Sequence, residues 1–344
     1  MFSECHFLTS IVVDENNATY CAENGILYTK NKETLVCYPA GKTETSFIIP
    51  NGVTTIGKFA FFSCINLTSI IIPDSVMTIE ELAFYSYTAI TSVEIGSGVT
   101  SIGRCAFSEC DLLTSIVVDE NNATYCAENG ILYTKNKETL VCYPAGKTET
   151  SFVIPDSVTT IGQFAFSSCK KLTSITIGDG VTTIEWYAFY RCTALTSVEI
   201  GSSVTTVSEG VFYGCSSLAS VSIGSGVTSI GVCAFAYCAS LTSVIIPDGV
   251  TTIGGYAFYD CTSLTSITIP DSVTTIGRDA FANCVSLTFV YYKGTKEEWP
   301  QISIGLVNGN FIGATRYYYS EKEPTTAGNY WHYDENGNVV VWEV

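Results

Sequence analysis

Histidine is almost missing from this chain, and positive charge is scarce. Only His6 and His332 occur among 344 residues, and neither has a serine, cysteine or carboxylate set by a repeated spacing as a nucleophile–base partner. An enzyme is therefore not expected. Lysine and arginine total 16 against 33 aspartates and glutamates, a net charge of −17. No basic stripe collects them, so nucleic acid is an unsuitable partner. No apolar run approaches the ~20 residues of a membrane-spanning helix. There is no CxxC pair to suggest zinc, and DENGN at Asp334 lacks the following Gly and distant Glu of a calcium loop. No metal or cofactor is expected. The residues after Met1 lack the pattern of a signal peptide and read as the tail of a repeat, which predicts a fragment without its N-terminal cap and export signal.

What the chain does have is a period. From Leu172 it repeats every 23 residues, with the leading leucine at Leu172, Leu195, Leu218, Leu241, Leu264 and Leu287, and earlier at Leu67, Ile90 and Leu113. A period of this length is the signature of a solenoid. Two coils are longer: Leu8 to Leu67 and Leu113 to Leu172 each span 59 residues, or 36 plus 23. Segments 3–70 and 108–175 differ at nine of 68 positions, among them His6 against Asp111 and Lys58 against Gln163, so an internal duplication is inferred. Within the extra length, GILYT and TLVCY flank a polar KNKE tip and predict a hairpin projecting from the coil, near 14–43 and again near 119–148. The adjoining DENN at Asp14 and Asp119 reads as a polar loop.

One coil can be read from Leu241. Leu241, Val244 and Ile246 alternate with Ser243 and Ile245, the pattern of a strand with one buried face. Pro247, Asp248 and Gly249 turn the chain, Val250 and Ile253 make a second apolar step, and Gly254 and Gly255 allow a close bend. Ala257 and Phe258 fill the interior, and AFYDCTS predicts a 3₁₀ or single-turn segment. A lone coil cannot bury enough apolar surface to offset its lost chain entropy; stacking supplies what is missing.

The pattern L-x-S-I-x-I-P-x-x-V-T-x-I-G-x-x-A-F-x-x-C, over residues 2 to about 292, resembles the BspA-like leucine-rich repeats. The resemblance implies a right-handed, strand-dominant leucine-rich-repeat solenoid, counted here as eleven coils, from an exported family linked to adhesion to host matrix proteins or other cells. It brings no catalytic residues. The expected asparagine or cysteine of the general repeat is replaced by Ser75, Gly98, Gly180 or Gly249, so an asparagine ladder is not expected.

A cysteine column stands in its place. Nine of 15 cysteines share one coil position: Cys5, Cys64, Cys110, Cys169, Cys192, Cys215, Cys238, Cys261 and Cys284. They are expected as buried small apolar thiols, because parallel side-chain vectors and an odd total disfavour a disulfide framework. Cys21 with Cys37, and Cys126 with Cys142, are the only local pairs to watch.

Residues 1–292 are assigned to the solenoid and 293–344 to an aromatic C-terminal cap holding Trp299, Trp331 and Trp342. There Thr295 and Glu298 predict a capping box for a short helix that Pro300 ends, FIGATRYYY a strand, and NYWHYDENGNVVVWEV a hairpin turning at Asn336–Gly337. The three tryptophans are expected to cover the flank of the Leu264 coil; an aromatic carbohydrate module is the alternative.

Two surfaces are candidates for a partner. The first is the outward row of the concave sheet: Val12, Ile71, Glu94, Val117, Thr176, Glu199, Ser222, Ile245 and Thr268. The second is an aromatic row on the irregular side, Phe62, Tyr85, Tyr190, Tyr213 and Tyr259, beside Phe59, Phe164, Tyr187 and Tyr256; its other reading is mutual packing. Non-enzymatic binding of a host matrix or cell-surface protein, outside the cell, is the expected function. A carbohydrate-binding module and a structural spacer are the alternatives.

Overall fold

A computed structural model describes residues 5–86 and 89–342; the first four residues of the repeat tail lie outside them. The chain falls into two compact units, Met1–Glu149 with Ser157–Lys171, and Thr150–Asp156 with Leu172–Val344. Both are stacks of the same coil, making a strand-dominant parallel β-solenoid of about 12 coils with almost no helix.

Constant spacing puts each residue on its own kind one coil away. In unit 1 the strands Ser46–Ile48, Ser69–Ile72, Ser92–Ile95 and Ser115–Val118 pair in parallel, serine on serine. The two-residue strands Thr55–Ile56, Thr78–Ile79 and Ser101–Ile102 form a second parallel ladder. Alternation sends Ile70, Val93 and Ile116 into the core and leaves their neighbours outside. Phenylalanines stack in a column, with ring centroids 5.0 Å apart for Phe61–Phe84 and 5.2 Å for Phe84–Phe107. In unit 2 the same column runs through Phe189, Phe212, Phe235, Phe258 and Phe281.

Among the described residues the third side of the 23-residue coils carries no 3₁₀ helix. Each 23-residue coil instead places two left-handed residues four apart, as at Phe59 and Ser63 or Tyr256 and Asp260, with φ between 54 and 58°. Such a conformation costs a side-chain-bearing residue ~1–2 kcal/mol. Amides between them donate to the next coil, Phe61 N to Ala83 O at 2.9 Å and Phe258 N to Ala280 O at 2.8 Å, and that pairing holds the strained backbone. One coil uses Gly210 and Gly214 there; a Cβ on Gly210 would lie 2.2 Å from the Tyr187 ring. Gly254 meets the expected close approach, since a Cβ would fall 2.6 Å from the Gly231 carbonyl carbon.

Eight members of the cysteine column are buried, while Cys5 is exposed. Their thiols donate back across one coil to the carbonyl of the aromatic residue: Cys110 to Phe84 at 3.1 Å, Cys238 to Phe212 at 3.3 Å and Cys284 to Phe258 at 3.1 Å. A threonine ladder accompanies them, Thr91 Oγ1 to Thr68 O at 3.2 Å and Thr114 Oγ1 to Thr91 O at 3.1 Å. No disulfide joins any of the 15 cysteines. Cys21 and Cys37 sit on the outer strands of a three-stranded meander, two strand spacings or about 10 Å apart, which is beyond disulfide reach.

The hairpins do not project. Strands Tyr125–Glu128, Ile131–Thr134 and Thr139–Cys142 form an antiparallel meander whose last strand joins Thr160–Ile161 in parallel. Ile131, Leu132, Tyr133 and Leu140 are buried, so the inserted residues belong to the coil. The same holds for Tyr20–Glu23, Ile26–Thr29 and Thr34–Cys37. Gly130 O takes the Ile116 amide at 2.9 Å, and Gly25 O takes that of Ile11 at 2.8 Å. The strand expected around Val12 is not formed, and Val12 is 91% exposed: no parallel neighbour pairs with it among the described residues.

Past Tyr292 both ladders of unit 2 run on. Ser303–Ile304 pairs with Thr275–Ile276, and Thr315–Tyr319 with Phe289–Tyr292. This further coil explains the count of about 12 against the eleven read from the leucines. Phe311 lies in the short helix Gly309–Gly313, so FIG of the expected strand is helical, and its ring stacks 4.5 Å from Phe281. Pro300 lies inside the 3₁₀ turn Trp299–Gln301 at its start, where no amide is needed. The capping box is half made: Glu298 accepts from the Thr295 amide and hydroxyl. The terminal hairpin Tyr330–Tyr333 with Val339–Val341 forms as expected, with Gly337 alone at positive φ, 79°.

Candidate functional site

In unit 1, Ile71 and Val117 lie either side of Glu94 in register. Branched side chains favour the strands, and alternation turns these three outward. Ile71 is 38% and Val117 52% exposed. They floor a groove of about 350 Å³ whose rim includes Asp74 and Asp119, at the ends of the same strands. The Ser97 amide donates to Asp74 at 2.7 Å, and its amide and hydroxyl hold the Asp74 carboxyl below the usual carboxylate range. The groove therefore sets two apolar side chains around a central glutamate, within an anionic rim.

In unit 2, Thr176, Glu199, Ser222 and Ile245 are exposed on the corresponding row, and Thr268 is not, at 2%. Thr268 pairs with Tyr291, where an aromatic cluster begins on the outward face. Tyr291 packs 5.6 Å from Tyr317 and 5.7 Å from Trp331, and Trp331 4.9 Å from Tyr333. The three tryptophans thus part company. Trp299 packs beside Phe311 at the flank, Trp331 is fully buried on the strand face with its N–H donated to Tyr292 O at 2.9 Å, and Trp342 stacks on His332 at 4.0 Å. Two members of the outward row escaped the sequence reading: Ile48 and Val153, 64% and 67% exposed. Each sits 23 residues before a row member, but its coil opens on a glutamate, Glu44 or Glu149, in place of leucine.

The aromatic row is packed within each unit. Phe62 stacks on Tyr85 at 6.1 Å and Tyr190 on Tyr213 at 5.5 Å. Tyr213 meets Tyr237 at 5.1 Å, and Tyr237 meets Tyr259 at 5.4 Å. Tyr237 replaces the missing tyrosine of its coil, where Ala236 holds the repeat position. Burial first, then neighbouring Tyr237, pushes the Tyr213 phenol up to about 12. Among the described residues, no group of three or more His, Cys, Asp or Glu is placed to hold a metal ion, and no helix is long and apolar enough to cross a membrane.

The BspA-type leucine-rich repeat region model matches in six copies over residues 37–144, 142–261 and 228–301. The chain belongs to the BspA-type leucine-rich repeat family. This BspA-type chain is similar to a leucine-rich cell surface protein from Faecalibacterium prausnitzii, with 37% identity over 75% of this chain and a TM-score of 0.59. The match spans 62% of that protein's chain. It is also similar to a leucine-rich repeat protein from Eubacterium ventriosum, with 26% identity over 93% of this chain and 97% of the other, and a TM-score of 0.65. No match is found among curated proteins.

Proposed function

We propose that this BspA-type solenoid is a non-enzymatic binding protein of the cell surface that engages a partner protein through the outward strand face. The observation that carries this reading is the unit 1 groove: Ile71 and Val117 exposed side by side with Glu94 between them, rimmed by Asp74 and Asp119. An apolar side chain flanked by lysine or arginine on the partner would fill it, burying the floor while opposite charges set the register. The cell-surface placement is supported by the description of the Faecalibacterium relative.

The test compares two variant sets for capture of proteins from a host-cell surface and matrix extract. Ile71→Lys with Glu94→Lys should reduce capture at least roughly tenfold, about 1.4 kcal/mol, with the circular dichroism spectrum unchanged. Tyr190→Ser with Tyr213→Ser and Tyr259→Ser should leave it intact. Loss only in the tyrosine set would move recognition to the aromatic stripe and sink this reading.

A further inference from the structure

The last coil ends differently from all the others. Where the core columns would continue inward, the strand Thr315–Tyr319 supplies Arg316 and Tyr318, in register with buried Val290 and Tyr292. Tyr330 follows, in register with Tyr318. These side chains line a cavity of about 640 Å³ together with Thr295, Lys296, Glu297 and Asn329. Its size lies within the ~300–1,000 Å³ of small-molecule sites. The Tyr318 amide donates to Asn329 O at 2.9 Å and ties the opposite wall in place.

Arg316 is the informative member. Its guanidinium lies 3.9 Å from the Trp299 ring centroid, which fixes the plane of the fork. One Nη2 hydrogen bond goes to Ile312 O at 3.3 Å, and Nε has no partner among the described residues. Among the described residues no carboxylate pairs with it or with Lys296, in a chain with 33 acids against 16 bases. A guanidinium offers five N–H donors; Nε is buried and one Nη2 donor is given to Ile312 O, so the remaining Nη donors and the positive charge are what Arg316 presents to the wall. Glu297 opposes a multiply charged anion but accepts hydroxyl hydrogen bonds, and Thr295 and Asn329 add polar groups. Tyrosine faces suit the C–H face of a sugar ring.

We infer that this cavity binds a saccharide residue bearing a carboxylate, with the acid on Arg316 and Lys296, the ring against Tyr330, and hydroxyls on Asn329 and Glu297. The site lies in unit 2, apart from the unit 1 groove, and it stands or falls independently of that groove.

The experiment titrates the intact chain with tri-galacturonic acid and sialyllactose, with maltotriose as the neutral control, by calorimetry and tryptophan fluorescence. At least one acidic probe should bind at millimolar concentration or below. Arg316→Gln and Tyr330→Ala should each weaken it roughly tenfold, whereas Glu94→Lys should leave it unchanged. Should Arg316→Gln fail to fold, the exposed Lys296→Gln should still weaken binding several-fold at an unaltered melting temperature. Absence of binding by both acidic probes, equal binding of maltotriose, or wild-type affinity in Lys296→Gln together with a folded Arg316→Gln would each overturn the assignment.

Discussion

At the scale of the residue, the cysteines divide by burial. Burial pushes the Cys284 thiol up to about 12, and it pushes Cys238 and Cys64 up as well. Thiolate is the reactive form, so at pH 8 a thiol reagent should label exposed Cys5 quickly and the buried column only after denaturation. Mass spectrometry of the labelled chain checks this, and rapid native labelling of Cys238 or Cys284 would refute it. The same shift has a sign for stability. Because the folded pKa of Cys284 lies above its ordinary value of 9.0, its contribution is complete below about 9 and is lost as pH rises toward 12. Denaturant midpoints should fall across that window.

At the scale of the element, the duplicated segments contain their own control. Asn122 is fully buried. Its Nδ2 donates to Gly96 O at 2.9 Å and Val99 O at 3.0 Å, and its Oδ1 accepts from the amides of Thr124 and Tyr125. Asn17, its copy, is exposed, and among the described residues its side chain only accepts the two local bonds from the amides of Thr19 and Tyr20. Asn122→Ala strips buried carbonyls and amides of partners, at ~1–3 kcal/mol for each group left unmet. Asn17→Ala should cost less than ~1 kcal/mol, as for a surface turn. Equal losses in urea unfolding would show that the burial of Asn122 does not matter. Asn308 has the same role past the last regular coil, holding Gly277 O, Gly305 O and the Phe281 amide. Buried asparagines thus appear only where a coil of unusual length must join a regular one.

At the scale of the whole molecule, an open solenoid end exposes a core column, and this chain closes one end in two steps. Phe311 and Trp299 cover Phe281 and Tyr292, and the terminal hairpin then lays Trp331 and Tyr333 on the strand face. Deletion of 293–344 should expose the phenylalanine column and drive aggregation. Deletion of 320–344 alone should leave a folded monomer that melts lower, because Trp331 leaves Tyr291 but Phe311 remains. Light scattering and thermal melts separate the two; a longer deletion that stays monomeric with unchanged melting would mean the region is an appendage.

Spacing alone determined most of the coil. Residues 23 apart with the same character must stack, so the strands at Ser69, Ser92 and Ser115, the phenylalanine and cysteine columns and the outward row from Ile71 to Ile245 are all legible in the sequence. Only the tertiary structure decided the exceptions, and each depends on a neighbour that no local pattern specifies. Val12 forms no strand because no described residue pairs with it in parallel, and the KNKE hairpin packs into the coil because Tyr28, Leu35 and Tyr38 complete the core cluster of unit 1. Thr268 is buried because Tyr291 begins an aromatic cluster beside it. Tyr237 enters the tyrosine stripe from the adjacent position because Tyr213 and Tyr259, one coil to either side, offer ring edges that Ala236 cannot meet. A repeat dictates what stacks on its own copy, whereas the contacts made where the repeat fails come from segments far apart in the chain.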